Sequence, residues 1–361
     1  MENYGTAVYP SMGISHGVAW DNIQNKYAGD NYSKNWVIDA AKACDKIVSV
    51  DTNTANWFQT VDYMLGNMTE VVPNYVETDE FKLDRSKNEE EKIIILYPRR
   101  LYEPRGLYLV LDILDAILEK YSNVEIHFVG KGFEEDTKNV EEKIEKWGDR
   151  VKMYSLAPEK MHEAYKKATI SLVPTLYSEG TSLSCLEAMA TGNAVIATRI
   201  GGLTDIIINN YNGKLIEPNV RALYNAIEEF LDNEEVREKC RKNAVEVAKE
   251  FNKKKWKKSW ERLIKENAGE LDKKKNIQYN IVKIYITEDK FNDYAFNKML
   301  YGLLTKNNIV YIVTDEENIR GKSFGRLQFI GKDQTLYKSF DKILADKEYS
   351  GTINEKEVEY I

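Results

Sequence analysis

The chain has 361 residues, enough for two or three domains. Charged residues make up 30% and hydrophobic residues 43%, an ordinary balance for a folded, water-facing protein. The 51 basic and 58 acidic residues leave a formal charge of −7, which argues against nucleic acid as the main partner. Cys44, Cys185 and Cys240 are too few and too scattered for a disulfide framework or a zinc site, which fits a reducing compartment. No run of about eighteen apolar residues is present to span a bilayer. The N-terminus is polar and reads as lacking a signal peptide, so a cytoplasmic location is expected.

The first 70 residues read as part of an α/β domain. A short strand and a glycine-flanked loop fall within 13–20, a helix at 36–44, a strand at 46–50 and a second helix at 54–65. Val71-Val-Pro-Asn-Tyr-Val-Glu-Thr-Asp-Glu-Phe81 leads out of this region, and the charged run 84–92 is expected on the surface.

Residues 93–250 alternate between strand and helix patterns. Strands are expected at 93–97, 124–129, 151–154, 170–173, 194–198 and 214–216. Helices are expected at 106–121, 134–147, 158–168, 182–191, 220–232 and 234–250. Such alternation specifies βαβ units around a parallel sheet. The first strand ends in Pro98-Arg-Arg-Leu-Tyr-Glu-Pro-Arg-Gly106. Arginines at a strand's carboxyl end suit a diphosphate, because the guanidinium is permanently charged and offers a planar fork of donors. Gly130-Lys-Gly132 follows the 124–129 strand and is by itself a weak phosphate-loop signal.

The densest signal is 178–202, which reads as loop, helix, tight turn, strand and loop. Glu179 sits past the carboxyl end of the 170–173 strand. Thr181, Ser182 and Ser184 are N-cap types, and Leu183, Leu186 and Ala190 have core spacing, with Glu187 on the same face as Leu183. Ligands of open parallel sheets bind outside the carboxyl ends of strands, where a helix N-terminus offers unpaired N–H groups to a phosphate. Two carboxylates there can accept hydrogen bonds from sugar hydroxyls. Taken singly, each is as compatible with a bland reading, a surface Glu179 and a half-buried Glu187 tied to local backbone, as with a ligand role.

Glu179 and Glu187, followed by Ala188-Met-Ala-Thr-Gly192 and Gly201-Gly202, resemble the donor-site signature of family 4 retaining glycosyltransferases. The resemblance implies the GT-B fold, two Rossmann-like domains facing a cleft, and metal-independent transfer from a nucleoside-diphosphate sugar with no other cofactor. It implies that Glu187 holds the ribose and Glu179 the transferred sugar. It also implies that Gly180, Thr181, Ser182, Leu183 and Ser184 line the diphosphate, with Ser182 standing where many members have glycine. Arg100 matches the Arg of the family's Gly-Arg-Leu, Arg105 stands where Lys is usual, and Arg99 replaces the Gly. Gly130 matches a glycine turn passed closely by the nucleotide. His16 is the residue matched to an acceptor-domain histidine facing the donor sugar, with a structural turn histidine as the alternative. Asp205 stands where the family commonly has Glu, a helix-capping role being the other reading. Residues 71–81 resemble the crossover between the two domains, with Tyr75 for Gly and Glu77 for Asp. Retention is commonly explained in this family by same-face attack, a donor phosphate oxygen taking the acceptor's proton.

These readings divide the chain into a partial acceptor domain at 1–70, a donor-binding domain at 71–252, a returning helix at 253–272 and an α/β extension at 273–361. The acceptor expected is a glycan or another hydroxyl compound, and polysaccharide biosynthesis the setting. The basic run Lys253-Lys-Lys-Trp-Lys-Lys-Ser-Trp260 packs its tryptophans and solvates its lysines, or grazes an anionic membrane. The last segment reads as strand 279–287, helix 294–306, strand 309–314, strand 327–330 and helix 334–345. It forms a layer of its own, or else completes the short first sheet. A partner chain could complete that domain instead. Two rival functions stay open: a non-catalytic nucleotide-sugar-binding or partner subunit, and an epimerase or hydrolase of the same fold. No Asp-x-Asp motif occurs.

Overall fold

The computed structural model describes residues 11–17, 37–38, 40–42, 44–83, 92–274, 280–304, 306, 308–314, 323–324, 326–331, 340–349, 351, 353 and 357–361. The charged run at 84–91 and part of the expected 36–44 helix lie outside them. The described strands build three sheets.

The first sheet holds β1 (Met12–Ser15), β2 (Lys46–Ser49) and β3 (Thr69–Val71), all parallel, in the order β1-β2-β3. The expected 54–65 helix is two helices, Thr52–Val61 and Tyr63–Met68. Asp62 is extended between them, and its carboxylate caps the second by accepting from Met64 N at 3.0 Å. An aspartate that caps the following helix interrupts the preceding one.

The second sheet holds β4 (Ile93–Tyr97), β5 (Val124–Val129), β6 (Val151–Tyr154), β7 (Ile170–Val173), β8 (Ala194–Thr198) and β9 (Lys214–Ile216). Its order is β6-β5-β4-β7-β8-β9, parallel throughout. Every residue of β5, β7 and β8 is buried, as expected of strands covered by helices on both faces. One face packs Leu107, Val110, Leu114 and Phe230, and the other Leu186, Met189 and Tyr165. Counting along the chain, this is the order 3-2-1-4-5-6. The direction of winding therefore reverses between β4 and β7 and opens a crevice past their carboxyl ends.

The helix Lys253–Lys274 returns to the first sheet, where Leu263 packs with Val48 and Val72. Trp256 and Trp260 turn toward that cluster, while Lys254, Lys257 and Lys258 face solvent. Lys253 pairs with Glu77 and Lys255 with Glu250.

The third sheet contains β10 (Asn280–Tyr285), β11 (Asn308–Val313), β12 (Ser323–Phe324), β13 (Leu327–Ile330), β14 (Lys342–Ala345) and β15 (Glu359–Tyr360), in the order β12-β13-β11-β10-β14-β15. Ile281 pairs with Ile309, and Val282 with Lys342. Among the described residues β10 thus has two neighbours, neither of them β2. The 342–345 segment, expected as the end of a helix, is a strand. Residues 334–339 of that expected helix lie outside the described ones. Leu344 and Ala345 are buried beside β10, and that tertiary pairing overrides a weak local helical pattern. No described helix is long and apolar enough to cross a membrane.

Candidate active site

Two loops meet at the reversal between β4 and β7. The loop after β4 carries Arg99, only 8% exposed, and the loop after β7 carries Glu179. Arg99 Nη2 donates to Glu179 Oε2 at 2.5 Å, and Arg105 Nη1 donates to the same oxygen at 2.6 Å. Thr175 Oγ1 adds a third bond to it at 2.8 Å. All three donors use Oε2, so among the described residues Oε1 is left open. Burial alone would raise the Glu179 pKa. The two guanidiniums override it and hold the carboxyl below its usual value.

The other arm of Arg99 reaches the helix Leu183–Ala190. Arg99 Nη1 donates to Ser182 Oγ and to Ser184 Oγ, each at 3.2 Å. Ser182 is the N-cap residue by position, but its side chain makes no capping bond. Its hydroxyl is engaged by Arg99, so the first N–H groups of the helix remain uncapped. A guanidinium with no competing carboxylate on its Nη1 side, beside open helix N–H groups, is suited to an anion.

Arg99, rather than Arg100, joins Arg105 in this cluster. The Arg100 side chain is exposed and has no partner among the described residues, although its carbonyl accepts from Tyr97 Oη at 3.0 Å. Successive side chains leaving a strand diverge, and here the first of the two is the buried one. Gly130 explains how Arg99 is seated. A Cβ there would lie 2.0 Å from the Arg99 carbonyl oxygen, so only glycine lets the β5 loop pack under this residue. The glycine turn therefore has a packing role that its sequence setting alone did not reveal.

Glu187 lies one turn into the same helix, and burial pushes its carboxyl up to about 7. The Tyr165 hydroxyl beneath is buried without a hydrogen bond of good geometry. Burial raises Tyr165 well above its usual value, and the Glu187 charge adds to the effect while Arg99 opposes it. Glu187, Tyr165 and Arg99 thus share one electrostatic neighbourhood. Leu183, expected in the core, is 50% exposed at the helix entrance, whereas Leu186 and Ala190 are buried as their spacing requires.

The first sheet closes against this loop. Thr181 Oγ1 donates to the Val50 carbonyl, and Asn74 Nδ2 donates to the Thr181 carbonyl at 3.0 Å. A Cβ on Gly180 would lie 2.5 Å from the His16 carbonyl oxygen, so the β1 loop approaches the β7 loop backbone to backbone. The His16 side chain is exposed at this edge and has no hydrogen bond among the described residues. Asp205 caps a helix, but one beside the first sheet: Thr52 N donates to its Oδ2 at 2.8 Å. Sequence reasoning missed Arg99, Thr175, Asn74 and Tyr165. The signal for Arg99 was its place beside Arg100 at the carboxyl end of the 93–97 strand, which did not say which of the two turns inward. The described residues contain no cluster of three or more His, Cys, Asp or Glu side chains that could hold a metal ion.

Comparison with known proteins fits this geometry. Residues 78–247 match the family model described as Glycosyl transferases group 1. Over 164 residues the chain is 26% identical to lipopolysaccharide 1,2-N-acetylglucosaminetransferase of Salmonella typhimurium, covering 41% of this chain and 43% of that protein. Over 96 residues it is 35% identical to D-inositol 3-phosphate glycosyltransferase of Corynebacterium efficiens, covering 26% and 22% respectively. The chain thus spans less than half the length of these relatives. The structure is similar to sucrose-phosphate synthase from Thermosynechococcus elongatus, with a TM-score of 0.59 and 21% identity over 71% of this chain and 67% of that one. That likeness establishes the GT-B-like α/β fold, and the matched segment is a glycosyltransferase group 1 domain.

Proposed function

We propose that this chain, which carries a glycosyltransferase group 1 domain, moves a sugar from a nucleoside-diphosphate sugar to a hydroxyl acceptor, with retention and without a metal. The observation that carries the reading is the Arg99–Glu179–Arg105 cluster across the β4/β7 crevice, beside the uncapped helix at Leu183. In the proposed reaction the bond from the anomeric carbon to the diphosphate breaks, and negative charge grows on the leaving group. Arg99, Arg105 and the helix N–H groups neutralise that charge in place, the kind of preorganised electrostatic stabilisation that dominates many enzymes. Glu179, its Oε2 held by three donors, offers Oε1 to a hydroxyl of the transferred sugar. Glu187 accepts from the ribose. The acceptor oxygen bonds to the anomeric carbon on the face the diphosphate leaves, and its proton passes to a donor phosphate oxygen. The acceptor side is the first sheet, where the His16 loop and Val50 meet Gly180 and Thr181. A glycan acceptor and a cytoplasmic site of action complete the reading.

The test is product analysis with labelled nucleotide sugars and a panel of glycosides. A new glycoside with the donor's anomeric configuration, formed equally well with EDTA present, supports the proposal. Free sugar, an isomerised donor, an inverted linkage or metal-restored activity overturns the corresponding part of it.

A further inference from the structure

The third sheet repeats the winding of the second. Taken in chain order, β10, β11, β13, β14 and β15 lie in the parallel arrangement β13-β11-β10-β14-β15. Counted from β10 this is 3-2-1-4-5, and the winding reverses between β10 and β14. A reversal of this kind leaves a crevice outside the strands' carboxyl ends, where open α/β sheets take their ligands. A cavity of about 230 Å³ lies at that point. Ile286 follows β10 and Asp346 follows β14 directly, and Lys290, Asp293, Phe296 and Met299 are among the other described residues that line it.

The chemistry of the walls selects the ligand. Asp346 is only 2% exposed, and its carboxylate accepts from Thr287 Oγ1 at 3.0 Å and from Glu348 N at 3.2 Å. Lys290 Nζ stands 3.8 Å from Asp346 and 3.9 Å from Asp293, close enough to balance charge but beyond hydrogen-bond distance. Its donors are therefore available to a ligand. Among the described residues that line it, two carboxylates against one ammonium leave the site negative, which disfavours phosphate. The helix Tyr294–Leu304 also offers little to an anion, because Asp293 Oδ1 already caps it by accepting from Phe296 N at 2.9 Å. The connecting turn Glu288–Asn292 contains no glycine through which a phosphate could approach the backbone. The cavity is smaller than the roughly 300–1,000 Å³ of drug-sized sites. A small neutral ring with one apolar face and several hydroxyls meets all of these conditions.

We infer that this crevice is a second carbohydrate site, taking a single neutral pyranose. Asp346 and Lys290 supply the acceptor and donor for its hydroxyls, while Phe296 and Met299 provide the apolar wall. The site shares no residue with the Arg99–Glu179 cluster and does not depend on the transferase reading.

Saturation-transfer NMR on the full chain tests it, with the methyl glycosides of glucose, galactose and N-acetylglucosamine as probes. At least one is expected to receive saturation. Met299→Trp, which fills the cavity, and Lys290→Met, which removes the donor at its partly exposed edge, are each expected to weaken that binding at least tenfold. Glu187→Ala is expected to leave it unchanged. No transfer to any probe, undiminished binding in a folded Lys290→Met or Met299→Trp protein, loss in Glu187→Ala, or displacement of the sugar by inorganic pyrophosphate would each overturn the assignment.

Discussion

Asp205 and Thr52 lie 153 residues apart, yet the Asp205 carboxylate takes both the backbone N–H of Thr52, at 2.8 Å, and its hydroxyl, at 2.5 Å. The N-cap Asp51 covers Thr54 N at 2.7 Å in the same turn. Two carboxylates thus serve one helix N-terminus, one from the adjoining turn and one from the segment after β8. The helix dipole favours both.

Replacing Asp205 with Ala removes its two bonds to Thr52 and leaves the Asp51 cap in place. The expected cost is about 0.5–2 kcal/mol, the range for a lost helix cap. Urea unfolding measures it, and hydrogen exchange should quicken at Thr52. Unchanged exchange there would mean that Asp51 alone holds the turn.

Arg99 and Arg100 are adjacent in sequence and should behave oppositely. Arg99→Met removes the guanidinium from Glu179 and from the two serine hydroxyls. Turnover is expected to fall at least a hundredfold, the scale of a lost charge-stabilising donor. Arg100→Met is expected to stay within a factor of a few of the parent. Comparable losses in both variants would place the anion elsewhere.

Glu187 ties donor binding to pH. Its carboxyl titrates near 7 in the folded chain against an ordinary value of 4.5. The folded state therefore holds the proton more tightly, and this group's contribution to stability is lost as pH rises from about 4.5 through 7. Glu187→Gln should flatten that part of the stability–pH curve. Ribose hydroxyls donate to the ionised form, so nucleoside-diphosphate affinity is expected to rise with pH through about 7. At pH 8, Glu187→Ala is expected to weaken binding by about 1.5–3 kcal/mol, the scale of a hydrogen bond to a charged group. Calorimetry at pH 6 and 8 reads both effects, and a flat profile would remove Glu187 from the donor site.

Gly130→Ala places a methyl group against the Arg99 carbonyl. Overpacking of this kind costs about 1–3 kcal/mol. Because the strain falls on the loop that seats Arg99, turnover should drop together with the melting temperature. A drop in stability with normal turnover would separate the packing of Gly130 from the placement of Arg99.

The alternation of strands and helices through 93–250 was legible because it depends on local periodicity. The apolar run Ile170–Val173 and the spacing of Leu186 and Ala190 carry their structure wherever they are placed. Glu179 and Glu187 could be singled out for the same reason, since a loop and a helix one turn apart present both to one crevice. What the residues could not state was which neighbour would meet them from elsewhere in the chain. Either Arg99 or Arg100 could have turned inward, and the packing of Gly130 beneath the β4 loop selected Arg99. Leu183 has the spacing of a core residue but is half exposed, because no described residue covers the helix entrance. Lys342–Ala345 became a strand because β10 offered it a free edge. Local sequence sets which elements form. The contacts between distant elements, whose energies depend on burial and on the charges brought together, settle which side chains do the chemistry.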